Sequence, residues 1–391
     1  MSSPPISWSR SVGAAVTINV FSAIPFFLTG TLAVRLRADL GISEAGLGGL
    51  FAMLAVGATV TAPMTGLLAE RVGPGASLRG AAVLSSSVLL LIPLLADGWF
   101  SYAAFMLVAG VVATGVQSAS NLWLLRTLGG RRLGLAFGFK QAGGPAAALL
   151  AGLSVPLLAA AVGWRWTFAI FGAVSLLAVP AVPRAGQPDH RRSARGREGD
   201  AAVGPLIAIA LGFAVSTAVS SSFVGFAVTA AVDQAGMNES SAGVLFAVGA
   251  VCGVLARVAI GAAADRGWGS PFALSSLMVA MGSVGFLLLS TGSTLAFVTA
   301  VPFSFVTAWG WSGVLHQAVT EANPVAPATA TGIIQTGGSV GLFVGPLVFG
   351  LLAGRSYSAA WLVTSCASVA GSACLLLGWY LTRRAVHEVV V

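Results

Sequence analysis

Apolar residues in this chain gather into long, nearly uninterrupted stretches, with no segment showing the strict two-residue alternation of a half-buried strand. A helix needs about 20 mainly apolar residues to cross a bilayer. Twelve stretches meet that length: residues 11–34, 45–69, 77–96, 100–125, 133–161, 164–183, 204–231, 241–264, 270–290, 294–320, 328–353 and 358–382. The pattern predicts an all-α integral membrane protein of twelve transmembrane helices, and it argues against a barrel, whose strands would alternate. The least marked boundary falls between the ninth and tenth spans. Residues 267–320 carry no charge there, and Ser290-Thr291-Gly292-Ser293 is the one turn-like segment. The first stretch, about 24 residues long, reads as a span and not as a cleavable signal.

Composition agrees. Hydrophobic residues make up 57% of the 391 and charged residues 8%, against roughly 25% charged in a soluble domain. Disordered chains, disulfide scaffolds, coiled coils and soluble enzymes are thereby excluded. The 50 glycines are scattered through the apolar stretches, as close helix packing in lipid requires. Cys252, Cys366 and Cys374 have no metal-type spacing and read as small core residues; no cofactor is implied.

The net charge of +8 reports topology, and no nucleic-acid partner is expected from it. Fourteen arginines fall on the side that carries both termini, and only Arg35, Arg37, Arg165 and Arg355 fall on the other. The positive-inside rule then makes the termini cytoplasmic in a multi-pass plasma-membrane protein. Seven tryptophans lie near span ends, as an aromatic belt would. Arg184 to Asp200 reads as a cytoplasmic linker.

The two halves of the chain align at an offset of 194–195. Leu40-Gly-Ile-Ser-Glu44 matches Ala235-Gly-Met-Asn-Glu239, and Leu50-Phe-Ala52 matches Leu245-Phe-Ala247. Gly66-Leu-Leu-Ala-Glu70-Arg71-Val-Gly73 matches Gly261-Ala-Ala-Ala-Asp265-Arg266-Gly, and Gly138-Phe-Lys-Gln141 matches Gly332-Ile-Ile-Gln335. Four matches in register imply two pseudo-symmetric six-helix bundles, over 1–183 and 204–391, joined by a linker at 184–203. A substrate site is expected where parallel repeats meet near mid-membrane.

The Gly-x-x-x-Asp/Glu-Arg-x-Gly element after the second span, repeated after the eighth, resembles the signature loop of the major facilitator superfamily. Glu70 departs from the usual Asp, and neither copy keeps the trailing basic residues. The resemblance implies the twelve-helix fold of that superfamily, transport by alternating access, no enzymatic activity, and a monomer. It also implies that Gly66, Glu70, Arg71, Gly73, Gly261, Asp265 and Arg266 gate the cytoplasmic side.

Ionisable groups within spans are costly and face a cavity or a partner. Two lie well inside: Lys140, the only lysine, in the fifth span, and Arg257 in the eighth. Each stands about seven residues, roughly 11 Å at 1.5 Å per residue, from the cytoplasmic boundary. Arg257 shares its helix face with Gly249, Gly253 and Gly261, and Lys140 shares its own with Gly144, Ala147, Ala148 and Ala151. No acid lies at that depth, since Glu70, Asp265 and Glu321 sit at span ends. The resemblance implies that the fifth and eighth spans are neighbours, so a small anionic substrate held by both cations is one reading. The other has Lys140 snorkelling to the interface and Arg257 pairing with Asp265 or with backbone carbonyls.

Asn19, Gln117, Asn121, Gln141 and Gln335 occur at comparable depth, and Trp309 and Trp311 lie mid-span, so these complete the candidate substrate site. The buried arginine of the eighth span is similar to that of oxalate/formate and nitrate porters. The partner cations of those porters are missing, because the repeat equivalents here are Ile334 and Ala62. Phe139-Lys-Gln-Ala-Gly-Gly-Pro145 and Gly163-Trp-Arg-Trp166 resemble the cyanate/nitroimidazole-type branch. The alternative function is a proton-coupled efflux antiporter, because Gly332, Gly341, Gly345 and Pro346 reproduce an antiporter glycine spacing, though in the eleventh span. Expected partners are a small-molecule substrate, a coupling ion and the lipid bilayer.

Overall fold

The computed structural model describes residues 7–128, 132–182, 203–265, 270–323 and 326–390. Among these residues all regular structure is helical. Eleven helices are long and apolar enough to cross a membrane. One of them, Leu135–Leu177, has 43 residues and is broken at Gly163, whose φ of 79° and ψ of 172° no helix contains. A rise of 1.5 Å per residue makes 43 residues about twice the hydrocarbon thickness. The break at Gly163 therefore turns one apolar run into two crossings, which makes twelve among the described residues.

Two compact units divide the chain, one of residues 1–191 with 239–247 and the other of 192–238 with 248–391. In the first unit the chain forms α1 (Trp8–Thr31), α2 (Ala33–Leu40), α3 (Glu44–Val72), α4 (Pro74–Leu95) and α5 (Trp99–Leu128). It continues as α6 (Leu133–Gln141), α7 (Gly143–Ser154) and α8 (Ala160–Ala178), with a π-helical turn at Val155–Ala159. Here α1 packs on α5 and α7, while α4 packs on α5 and α8. The core between α1 and α5 holds Ala15, Ile18, Val116, Ala119 and Trp123. The indole Nε1 of Trp123 donates to the Ser11 carbonyl at 3.1 Å, so the largest side chain of that core carries no unmet donor.

The second unit contains α9 (Val203–Asp233), most of α10 (Glu239–Asp265), α11 (Pro271–Ser290), α12 (Thr294–Thr307), α13 (Ser312–Ala322), α14 (Pro327–Ala353) and α15 (Tyr357–Val390). The pairs α1–α7, α4–α8 and α4–α5 recur here as α9–α14, α11–α15 and α11–α12, the same offset that the repeat shows in sequence. On α14, Gly337, Gly341 and Gly345 lie against the carbonyls of Ala210, Ala214 and Ala218 on α9, and a Cβ at any of the three would overlap that backbone. Small residues every four positions let two backbones touch, which is how helices associate where lipid removes the hydrophobic drive.

Candidate functional site

The fifth crossing runs through two helical segments beside its buried cation, and Ala142 between them keeps right-handed helical angles and its bond to the Gly138 carbonyl at 3.2 Å. The helix α6 ends at Gln141 and α7 begins at Gly143, with Ala142 at φ −69° and ψ −10° between them. Lys140 occupies the last turn of α6, where the helix dipole favours a cation. It is 1% exposed, and its ammonium donates to Asn121 Oδ1 on α5 at 2.5 Å. Lys140 therefore does not snorkel. Next to Asn121, the Ser120 hydroxyl accepts from Asn19 Nδ2 at 3.4 Å, which brings α1 to the same polar cluster. A Cβ on Gly143 would stand 3.1 Å from Asn19 Cβ, a tight contact, so the glycine eases the close approach of α7 to α1. The structure thus gathers Lys140, Asn121 and Asn19, whereas Gln117 and Gln141 project onto the accessible surface.

The tenth crossing, expected as one continuous span, is interrupted. The helix α12 ends at Thr307, α13 starts at Ser312, and residues 308–311 form a turn. Carbonyls released inside a membrane need new donors. Ala308 O accepts from the Ser220 hydroxyl on α9 and from Trp311 Nε1 at 2.9 Å. Trp309 O accepts from Arg257 Nη2 on α10 at 2.6 Å. The same guanidinium lies 4.3 Å over the Trp309 ring. Its Nε is enclosed and without a partner.

Packing brings Arg257 there. Gly249 and Gly253, on the same face of α10, lie against Phe305 of α12, the latter with its would-be Cβ 3.1 Å from the Phe305 carbonyl. Arg257 is one turn further on, level with the interruption. Of the two sequence-based outcomes for Arg257, the structure shows the bond to a backbone carbonyl. Among the described side chains, no carboxylate is bonded to the guanidinium.

Trp311 is 2% exposed and packs edge-on against Phe213 with ring centroids 5.1 Å apart, so it closes the core of the second unit. Trp309 is half-buried, and Gln335 is exposed on α14. Among the loop residues assigned to gating, Gly66 lies within α3, and Glu70 and Arg71 are exposed at its end. Gly73, at φ 94° and ψ 145°, makes the turn into α4 that a side-chain-bearing residue would resist. Gly261 and Asp265 belong to α10; Arg266 lies outside the described residues, as does the linker expected at 184–203 except Val203, which begins α9.

One polar cluster went unnoticed in the sequence. Asp39 Oδ2 accepts from Trp164 Nε1 and from Arg165 Nη2, each at 3.0 Å, and Arg165 Nη1 donates to the carbonyls of Pro93 and Ala96. The cluster ties the residues just after Gly163 to the ends of α2 and α4. Gly163-Trp-Arg-Trp166 therefore has a structural use in fixing the turn between two crossings.

Twelve apolar crossings among the described residues, two of them carrying a cation within the span, define a multi-pass membrane protein. A sequence model of the Major Facilitator Superfamily matches residues 15–326, and the chain belongs to that superfamily. No curated protein matches the sequence. Among solved structures, a D-xylose–proton symporter superposes with a TM-score of 0.77 at 15% identity, covering 94% of this chain and 97% of the symporter. A bacterial homologue of the human lysosomal transporter Spinster, inward-facing and occupied, gives 0.73 at 16%, with 96% and 97% covered. A point mutant of the nucleoside transporter NupG gives 0.74 at 14%, with 93% and 99% covered. At these identities the likeness is one of fold.

Proposed function

We propose that the protein is a secondary active transporter whose cargo is a small organic or inorganic anion, with Lys140 and Arg257 supplying the counter-charge. One observation carries the reading. Two cations sit within membrane spans, and among the described side chains neither meets a carboxylate: Lys140 donates to an amide, and Arg257 donates to a backbone carbonyl and lies over the Trp309 ring. Buried charges are ordinarily paired, and an anion would pair these. The accessible amides of Gln117, Gln141 and Gln335 suit the wall of a water-filled path better than contact with lipid chains. In the same reading the protein works as a monomer in the plasma membrane with both termini cytoplasmic, a coupling ion accompanies the cargo, and the paired loop elements at Glu70-Arg71 and Asp265-Arg266 gate the cytoplasmic side.

The efflux alternative has less to stand on. Gly341 and Gly345, two residues of its glycine spacing, are used in the contact of α14 with α9. The test is a thermal-stability screen of purified protein against small carboxylates, cyanate, nitrate, lipophilic cations and neutral drugs. A ligand at 100 times its Kd stabilises by about 2.7 kcal/mol, well within what such a screen resolves. Stabilisation by an anion, lost in Arg257→Gln, supports the reading. A response to lipophilic compounds alone, unchanged in that variant, moves the assignment to efflux.

A further inference from the structure

Arg35, Arg37, Arg165 and Arg355 fall at the ends of crossings opposite the termini, against the charge bias of the chain. Arg165 is bound to Asp39, and Arg37 to Glu44, the first residue of α3. Arg35 reaches further. Its Nε lies 2.5 Å from Glu239 Oε2, 204 positions away, and its Nη1 donates to the Ala159 carbonyl at the end of the π-helical turn. Single π turns within α-helices recur where function needs them. Glu239 opens α10 and is the repeat equivalent of Glu44. The same repeat position is therefore tied locally in one half of the chain and distantly in the other. Backbone contact continues the tie one turn into α10. A Cβ on Gly243 would stand 2.6 Å from Val155 Cβ and 2.8 Å from the Gly152 carbonyl of α7. One turn further, a Cβ on Gly152 would stand 3.0 Å from Ala247 Cβ. Residues Glu239–Ala247 accordingly pack with the first unit, while α10 from Val248 onward packs with the second.

We propose that Glu239–Ala247 is a strap that alternates between this latched state and a released one, and that Arg35 sets the balance between them. A half-buried ion pair and a glycine contact hold without interlocking large side chains, so they can part and re-form. Release frees the first turns of α10 from α7 and the π turn, and the rest of α10 keeps its own packing. In a transporter a latch of this kind controls access at the end opposite the termini. The inference rests on the transporter reading for the use of the motion; the motion itself is tested without a cargo.

The experiment follows the reaction of a single cysteine with a water-soluble maleimide, on the full chain in lipid nanodiscs. Cys252, Cys366 and Cys374 are replaced by alanine. The reporter is Ala247→Cys, at a position 2% exposed that lies against Gly152. A second reporter, Ala119→Cys in the core between α1 and α5, registers general loosening. Glu239→Gln is expected to raise the labelling rate at 247 about fivefold, the scale of one partly exposed ion pair, with the rate at 119 unchanged. Arg35→Gln, which also loses the bond to Ala159, should raise it at least as much. Arg35→Glu sets two carboxylates together and raises it further, and adding Glu239→Arg brings the rate back down. Gly243→Ala removes no charge, but its Cβ meets Val155 and Gly152, so it too is expected to speed labelling. Equal rates at 247 in all variants, no recovery in the charge swap, or parallel rises at both reporters overturn the proposal and make Arg35 an ordinary brace. None of those results touches the transporter reading, which stands or falls on transport by wild type.

Discussion

The ammonium of Lys140, in the last turn of α6, stands 2.5 Å from the amide oxygen of Asn121 on α5. An amide solvates a charge without cancelling it. That is the difference between a lysine stored as part of the fold and a lysine available to a ligand. Replacing Asn121 by Asp tests it directly. The new carboxylate should pair with Lys140, raise the melting temperature of the empty protein, and abolish stabilisation by anions. Asn121→Ala should instead destabilise the empty protein by about 1–3 kcal/mol, the cost of an unmet buried donor. Melting curves of the three proteins with and without nitrate check both directions.

The turn at 308–311 is closed by side chains, and each closure should be measurable. Ser220→Ala removes one donor to the Ala308 carbonyl, and Trp311→Phe removes the other. Each change alone should cost about 1 kcal/mol, because the remaining donor still serves the oxygen. The double variant should cost more than the sum, since it leaves the carbonyl orphaned. Chemical denaturation in detergent, read as a double-mutant cycle, gives the answer.

Gly163 separates the sixth crossing from the fifth at φ 79°. Gly163→Ala should destabilise by about 1–2 kcal/mol, the cost of a side chain in the left-handed region. Asp39→Asn should weaken the neighbouring cluster without that backbone strain, leaving the Trp164 bond possible and the Arg165 pairing reduced to neutral acceptors. Thermal unfolding followed by intrinsic fluorescence distinguishes the two sizes of effect.

At the contact between α9 and α14, Gly345→Val should be far more damaging than any surface change, because its side chain would enter the backbone of Ala218. Loss of monodisperse protein on size-exclusion chromatography is the expected outcome. Gly332→Val, where a Cβ meets nothing, should express normally. The reverse pattern would return the glycine spacing to the efflux reading.

Much of the fold was legible in the apolar runs, because length against bilayer thickness is a coarse and robust signal. The repeat was legible too, since turn residues and small residues recur at a fixed offset. The interruption at 308–311 was not. Phe-Val-Thr-Ala-Trp-Gly-Trp carries no charge, and two of the three replacement donors, Ser220 and Arg257, stand 88 and 52 positions away, where no local pattern shows them. The buried cations stood out by their rarity. Their partners, an amide and a carbonyl, depend on which helices touch. Asp39, Trp164 and Arg165 escaped notice because each reads alone as an ordinary interfacial residue.

The central claim is that both cations within the spans, Lys140 and Arg257, serve an anionic cargo. It is tested most directly by counterflow in proteoliposomes, loaded with the anion that stabilises best and assayed with its radiolabelled form outside. Wild type should accumulate label. Arg257→Gln and Lys140→Gln, purified with melting temperatures near that of wild type, should not. Undiminished counterflow in both variants would contradict the claim and return the two residues to the packing of their own bundles.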